Sequence, residues 1–113
     1  MSIVPRLPVR DWPFLIDGKW ISAGEAFEVR APFDQSVVGR SWRGTHQHAE
    51  AATAAVKRAF QVTRKLASFE KQEVLRKIAE AIRTRCEEFA TLIALEAGKP
   101  IKTARAEVDR AIR

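Results

Sequence analysis

At 113 residues and 12.7 kDa the chain is one domain or part of one. It is 46 % hydrophobic and 30 % charged, which excludes a disordered polypeptide, although eighteen of the apolar residues are alanine and the larger side chains must do most of the burying. The net charge of +6 lies wholly in the second half, since residues 1–56 hold six basic and six acidic side chains and residues 57–113 hold fourteen against eight.

The first thirteen residues read as an extended arm. Pro5, Pro8 and Pro13 each remove a backbone donor and disfavour helix in the residue before them. Phe14-Leu15-Ile16 and Lys19-Trp20-Ile21 then flank Asp17-Gly18, a dipeptide that tolerates the positive φ angles of a type I′ hairpin turn. Phe27 to Arg30 alternates apolar and polar, and residues 37–42 follow the Pro32-to-Ser36 turn as a further strand. The front of the chain is therefore expected to be a short antiparallel β unit of three or four strands. Past Gly44 the period changes from two to about 3.6. Thr45 is a candidate N-cap, and Ala52, Val56, Ala59, Phe60 and Thr63 share one helical face. That helix is expected to end near Arg64. Ser68 is the second N-cap candidate, with Lys71 where a capping box wants an acid.

The stripe Leu75, Ile78, Ile82, Cys86, Phe89 and Ile93 steps by three and four, as on an amphipathic helix. A break near Thr84-Arg85 leaves this stripe intact, so the spacing does not locate one. Gly98 followed by Lys99-Pro100 is a strong stop. Ile101, Ala104, Val108 and Ile112 form the face of a last helix that runs to Arg113 without a glycine, proline or polar tail, which predicts that more chain follows.

Chemistry-bearing residues are sparse. His46 and His48 stand two apart, which points them to different sides of a helix, so a metal site is not expected. Cys86, on the apolar stripe, is expected to be a buried, inert thiol. A single cysteine excludes an internal disulfide and any CxxC pair, and fits a reducing compartment. None of Gly18, Gly24, Gly39, Gly44 and Gly98 belongs to a phosphate-cradling loop motif. Glu87 and Glu88 are sequence neighbours that face differently on a helix, and no acid/base pair stands out. No run approaches the ~20 apolar residues of a membrane span. Residues 1–10 do not form a secretory signal, so the expected setting is the cytoplasm.

The order of segments resembles the N-terminal quarter of the aldehyde dehydrogenase superfamily. Phe14 to Trp20 is similar to that family's opening hairpin ending in G-x-W, and Ala31-Pro32-Phe33-Asp34 through Val38-Gly39 to its N-P-x-(T/D) turn and strand. The run from Ala49 to Phe60 is similar to its A-V-x-A-A-x-x-A-F helix. Glu73 to Ala79 is similar to its R-x-x-I-L-x-K-I-A segment, with Gln72-Glu73 where arginine is usual. Glu96 to Pro100, followed by Ala106-Glu107-Val108, is similar to E-x-G-K-P…A-x-E-V. Ala31 replaces the usual asparagine, as in the branch acting on small hydroxy- or phospho-aldehydes such as lactaldehyde and phosphonoacetaldehyde.

The resemblance implies an α/β, aldehyde dehydrogenase-like fold. Residues 1–13 would be an arm and residues 14–113 the N-terminal portion of a truncated cofactor-binding domain, a β unit followed by three or four helices. It implies an enzyme of about four times this length that oxidises an aldehyde to an acid with NAD⁺ or NADP⁺. A cysteine thiolate, a glutamate that activates water and an oxyanion-holding asparagine would all lie beyond Arg113, as would the strands that bind the cofactor. Cys86 does not match the catalytic cysteine. Catalytic, cofactor-binding and metal residues are therefore all expected to be absent from this chain. Near Glu107 the family sometimes holds a structural monovalent cation, for which one carboxylate is too little.

The expected partners are the remainder of the polypeptide and further copies in a homo-oligomer, with a small aldehyde as substrate and no membrane. The chain alone is expected to be inactive, with apolar helix faces left open. The alternative is a small basic helical module, in which Lys57, Arg58, Arg64, Lys65, Arg76, Lys77, Arg83 and Arg85 meet nucleic acid or an acidic protein with steep salt dependence. That face lacks the interleaved aromatics of a base-stacking surface.

Overall fold

The structure, a computed structural model, describes residues 7–113. Five strands come first in the chain: β1 (Arg10–Trp12), β2 (Phe14–Ile16), β3 (Lys19–Ile21), β4 (Ala26–Arg30) and β5 (Val37–Trp42). Asp17 and Gly18 both adopt positive φ, 50° and 75°, and close β2 onto β3 as an antiparallel hairpin. β4 and β5 are also antiparallel, joined by a turn in which the Ala31 N–H donates to the Ser36 carbonyl at 2.9 Å. The Asp34 carboxylate accepts from the Ser36 N–H at 3.0 Å and fixes that turn from inside.

The arm differs from the reading of the sequence. Residues 1–6 lie outside the described residues, but residues 10–12 dock as β1, parallel to β5, with Arg10 opposite Gly39 and Trp12 opposite Ser41. The β unit thus has five strands, in a three-stranded sheet ordered β1-β5-β4 and a separate hairpin, and one of its pairings is parallel. A register shift between Val29 and Arg30 leaves Val38 as the extra residue of β5, so that Val38 and Gly39 are both buried.

Four helices follow: α1 (His46–Thr63), α2 (Ser68–Thr84), α3 (Cys86–Ala97) and α4 (Ile101–Ile112). Thr45 caps α1, its Oγ1 accepting from the His48 N–H at 3.3 Å. The cap of α2 is displaced by one residue from the expected Ser68. Ala67 occupies the N-cap, and the Glu70 carboxylate accepts the Ala67 N–H at 2.7 Å. Arg85, at φ −110° and ψ 21°, breaks the long stripe into α2 and α3. Gly98 ends α3 in the left-handed conformation, φ 65°.

The core is where α3 meets α4. Ala90 and Ala104 are wholly buried and let the two backbones approach, with Ala94 and Val108 beside them and Ile82, Cys86, Phe89, Ile93, Ile101 and Ile112 packed around. Among the described residues no buried apolar side chain is larger than valine. The chain is a slab of 52 × 35 × 17 Å with a radius of gyration of 17.1 Å. A closed domain of this length has a radius near ~13 Å.

Candidate functional site

A groove lies between the three-stranded sheet and α3. It is an open groove of about 440 Å³ whose lining includes Trp12, Phe27, Val38, Phe89, Ile93 and Glu96. Gly39 builds its floor, because a Cβ there would lie 2.8 Å from the Trp12 ring. The Ser41 hydroxyl is engaged, donating to the Trp12 carbonyl at 3.0 Å. The groove holds no nucleophile next to a base. Its chemistry suits apolar filling. Trp12 carries no signal in the sequence because the four residues between Pro8 and Pro13 are too few to show a periodicity.

The residues singled out from the sequence are not brought together. His46 is on the exposed side of α1, its Nε2 3.3 Å from Glu50 Oε1. His48 turns inward. Its Nδ1 accepts the Thr45 N–H at 3.1 Å, and its ring meets the Phe14 ring edge-on at 5.0 Å. The Thr45-x-x-His48 spacing was the available signal for this reciprocal cap, although glutamate or glutamine is the usual partner. Cys86 is half-buried at the start of α3, against the α3–α4 core.

The two carboxylates that follow Cys86 diverge as their spacing requires. Glu87 reaches Arg105 on α4, and Glu88 reaches Arg85 at 2.9 Å and Arg10 at 3.5 Å. Hydrogen bonding from those arginines, Arg105 for Glu87 and Arg85 for Glu88, holds both carboxyls below the usual carboxylate range. Glu107 receives the Lys99 ammonium at 2.7 Å, which also lowers its pKa, with Arg110 adding a smaller electrostatic push. The chain's own cation therefore occupies Glu107. Among the described residues no cluster of three metal-binding side chains exists, and these residues do not fit a metal site. The glycines serve the frame. Gly18 turns a hairpin, Gly39 lies in a strand and Gly98 caps a helix.

Of the eight basic residues proposed for a polyanion surface, Arg58, Lys77, Arg83 and Arg85 are paired with Asp17, Glu73, Glu80 and Glu88. Arg64 lies over the Phe60 ring at 5.7 Å. Large apolar side chains are open as well: Val56, Phe60 and Val62 on α1, Phe69, Val74, Leu75 and Ile78 on α2 are all more than half exposed. No helix among the described residues is long and apolar enough to cross a membrane.

Two separated motif segments meet in space. Pro32 packs beside Gly98, 3.6 Å from where a Cβ would stand, next to the buried Ala31. Comparison with known proteins matches the sequence profile described as "Aldehyde dehydrogenase family" to residues 20–113. The chain is 35 % identical over 97 residues to the lactaldehyde dehydrogenase of Methanocaldococcus jannaschii, covering 86 % of this chain and 21 % of that protein. It is 33 % identical over 103 residues to the 3-sulfolactaldehyde dehydrogenase of Priestia aryabhattai, covering 91 % and 21 %. Among solved structures, the lactaldehyde dehydrogenase from Escherichia coli superposes with a TM-score of 0.86 at 30 % identity, over 93 % of this chain and 22 % of that one. The chain spans about one-fifth of the length of the curated relatives it matches.

Proposed function

Because the chain belongs to the aldehyde dehydrogenase family, we propose that it is the N-terminal part of an NAD(P)-dependent enzyme that oxidises an aldehyde to a carboxylic acid, and that it serves that reaction as scaffold. The observation that carries the scaffold role is the set of open apolar faces. Val56, Phe60, Leu75 and Ile78 lie on regular helices yet stay more than half exposed. Leaving several such side chains in water forgoes about 1.5–3 kcal/mol each. Further polypeptide packed on α1 and α2 removes that cost, and the share of the relatives' length that this chain spans provides for such polypeptide. The reacting groups and the cofactor-binding strands belong to that further polypeptide.

The similarity to lactaldehyde and sulfolactaldehyde dehydrogenases, with alanine at position 31, favours a short hydroxyaldehyde as substrate. Ala31 is 3 % exposed and its N–H and carbonyl are both used in the β4–β5 turn. Its backbone acts on the frame of that turn. The setting proposed is the cytoplasm, and the assembly a homo-oligomer.

The test uses the complete coding sequence. Reduction of NAD⁺ or NADP⁺ is followed spectroscopically with lactaldehyde and with larger aldehydes, for the complete protein, its Cys86→Ala variant and the 113-residue chain. Turnover by the complete protein, retained in Cys86→Ala and absent from the short chain, is expected. Turnover by the short chain that disappears on Cys86→Ala overturns the placement of the chemistry elsewhere.

A further inference from the structure

We propose that His48 is a proton-sensitive latch that holds the N-terminus of α1 and its contact with the β2–β3 hairpin. The geometry is reciprocal. The Thr45 hydroxyl accepts the His48 backbone N–H at 3.3 Å, and His48 Nδ1 accepts the Thr45 backbone N–H at 3.1 Å. An imidazole nitrogen accepts a hydrogen bond only while it carries no proton, so this arrangement requires the neutral ring with its proton on Nε2. The glutamate or glutamine usual at this place keeps its acceptor oxygen near neutrality and below it; histidine does not.

Protonation has two local effects with the same sign. It removes the acceptor for the Thr45 N–H, which is one of the donors a helix start leaves without an intrahelical partner. It also places a positive charge on the first turn, where the helix macrodipole disfavours one. The same ring meets Phe14 of β2 edge-on at 5.0 Å, so a ring that swings away from Thr45 also leaves the hairpin.

Charged groups of the segments adjoining His48 are engaged with one another. On its own helix His46 pairs with Glu50 at 3.3 Å, at the hairpin turn Asp17 pairs with Arg58 at 2.8 Å, and before the helix Arg43 pairs with Glu25 at 3.6 Å. β2, which packs against α1, carries no titratable group. Among the described residues no carboxylate pairs with His48, whose contacts are with Thr45 and Phe14. His46, on the same turn and paired with Glu50, accepts no hydrogen bond from the cap, and this makes it the internal control.

Hydrogen exchange of the complete protein, read on peptides spanning residues 44–52 and corrected for the intrinsic pH dependence of exchange, tests the latch between about pH 8 and about pH 5. In the parent protein the protection of the Thr45 and His48 amides should fall about fivefold on acidification, the loss expected for a helix cap. His48→Gln, whose side-chain oxygen accepts at every pH in that range, should show a flat profile, and His46→Gln should keep the fall. Protection that is flat in the parent protein, or that falls equally in His48→Gln, overturns the proposal.

Discussion

Arg105 on α4 holds Glu87 on α3 through both Nε and Nη2, each 2.9 Å from a carboxylate oxygen. The pair spans the two helices whose alanines form the core, and both partners stand in solvent. Hydrogen bonding from Arg105 lowers the Glu87 pKa, so this carboxylate stabilises the packed state above the unfolded carboxylate range and stops doing so as pH falls through its lowered folded value. Replacing Glu87 by Gln should speed exchange of α3 and α4 amides modestly at neutral pH and low salt. The difference should vanish in acid, where the parent carboxylate is also protonated. High salt should shrink it as well, since solvent screens an exposed pair. A difference that grew on acidification would reverse the assigned sign.

The same helix pair sets the second expectation. Ala90 and Ala104 are both wholly buried, with Ala94 and Val108 in the same cluster. Ala104→Leu inserts three carbons where the backbones approach, which should cost about 1–3 kcal/mol. Val108→Ala removes two methyl groups from a site that is 4 % exposed and should cost about 2 kcal/mol. Both are read from the denaturation midpoint of the complete protein. Equal midpoints for parent and Ala104→Leu would mean the helices stand further apart than described.

Local chemistry made much of this fold legible in the sequence. Asp17-Gly18 specifies its turn, Thr45 its cap and Gly98 its stop, because each is decided within four residues. The parallel β1–β5 pairing is decided between residues nearly thirty apart, and Arg10-Asp11-Trp12 has no pattern that announces it. The break at Arg85 was hidden for another reason. Ile82, Cys86 and Phe89 keep the same face across it, so the periodicity is indifferent to it. At α2 the hydroxyl of Ser68 looked like the cap, whereas Glu70 satisfies the Ala67 N–H from three residues inside. As for the residues singled out for chemistry, His46, His48, Cys86, Glu87 and Glu88 are each engaged in local contacts that their spacing along a helix made legible.

Two glycines should behave differently when changed to alanine. At Gly98 the space is adequate, with Pro32 atoms at an ordinary 3.6 Å, and the penalty is the left-handed backbone at φ 65°, about 1–2 kcal/mol. At Gly39 no positive φ is involved. The new Cβ would lie 2.8 Å from Trp12 Cδ1 and Nε1 and 3.1 Å from the Arg10 carbonyl. Gly39→Ala should therefore displace β1 and expose residues 10–12 to exchange, while Gly98→Ala leaves β1 protected. Adding Trp12→Ala to Gly39→Ala relieves the ring contact but not the carbonyl contact, so the recovery of β1 should be partial.

The open face of α2 separates a scaffold from a free-standing module. Ile78 is 52 % exposed within these residues. If α2 faced water in the working protein, Ile78→Ala would shift stability by less than about 0.5 kcal/mol. If further polypeptide covers it, as proposed, the same change should cost about 2–5 kcal/mol in the complete protein. Lys77, one position away and paired with Glu73 at 3.1 Å on the surface, provides the contrast. Lys77→Gln should be close to neutral in either case. A large loss for Ile78→Ala together with a neutral Lys77→Gln locates the cost in burial and not in the charge of this helix. A neutral Ile78→Ala would leave α2 a solvent-facing helix and remove the observation on which the scaffold role rests.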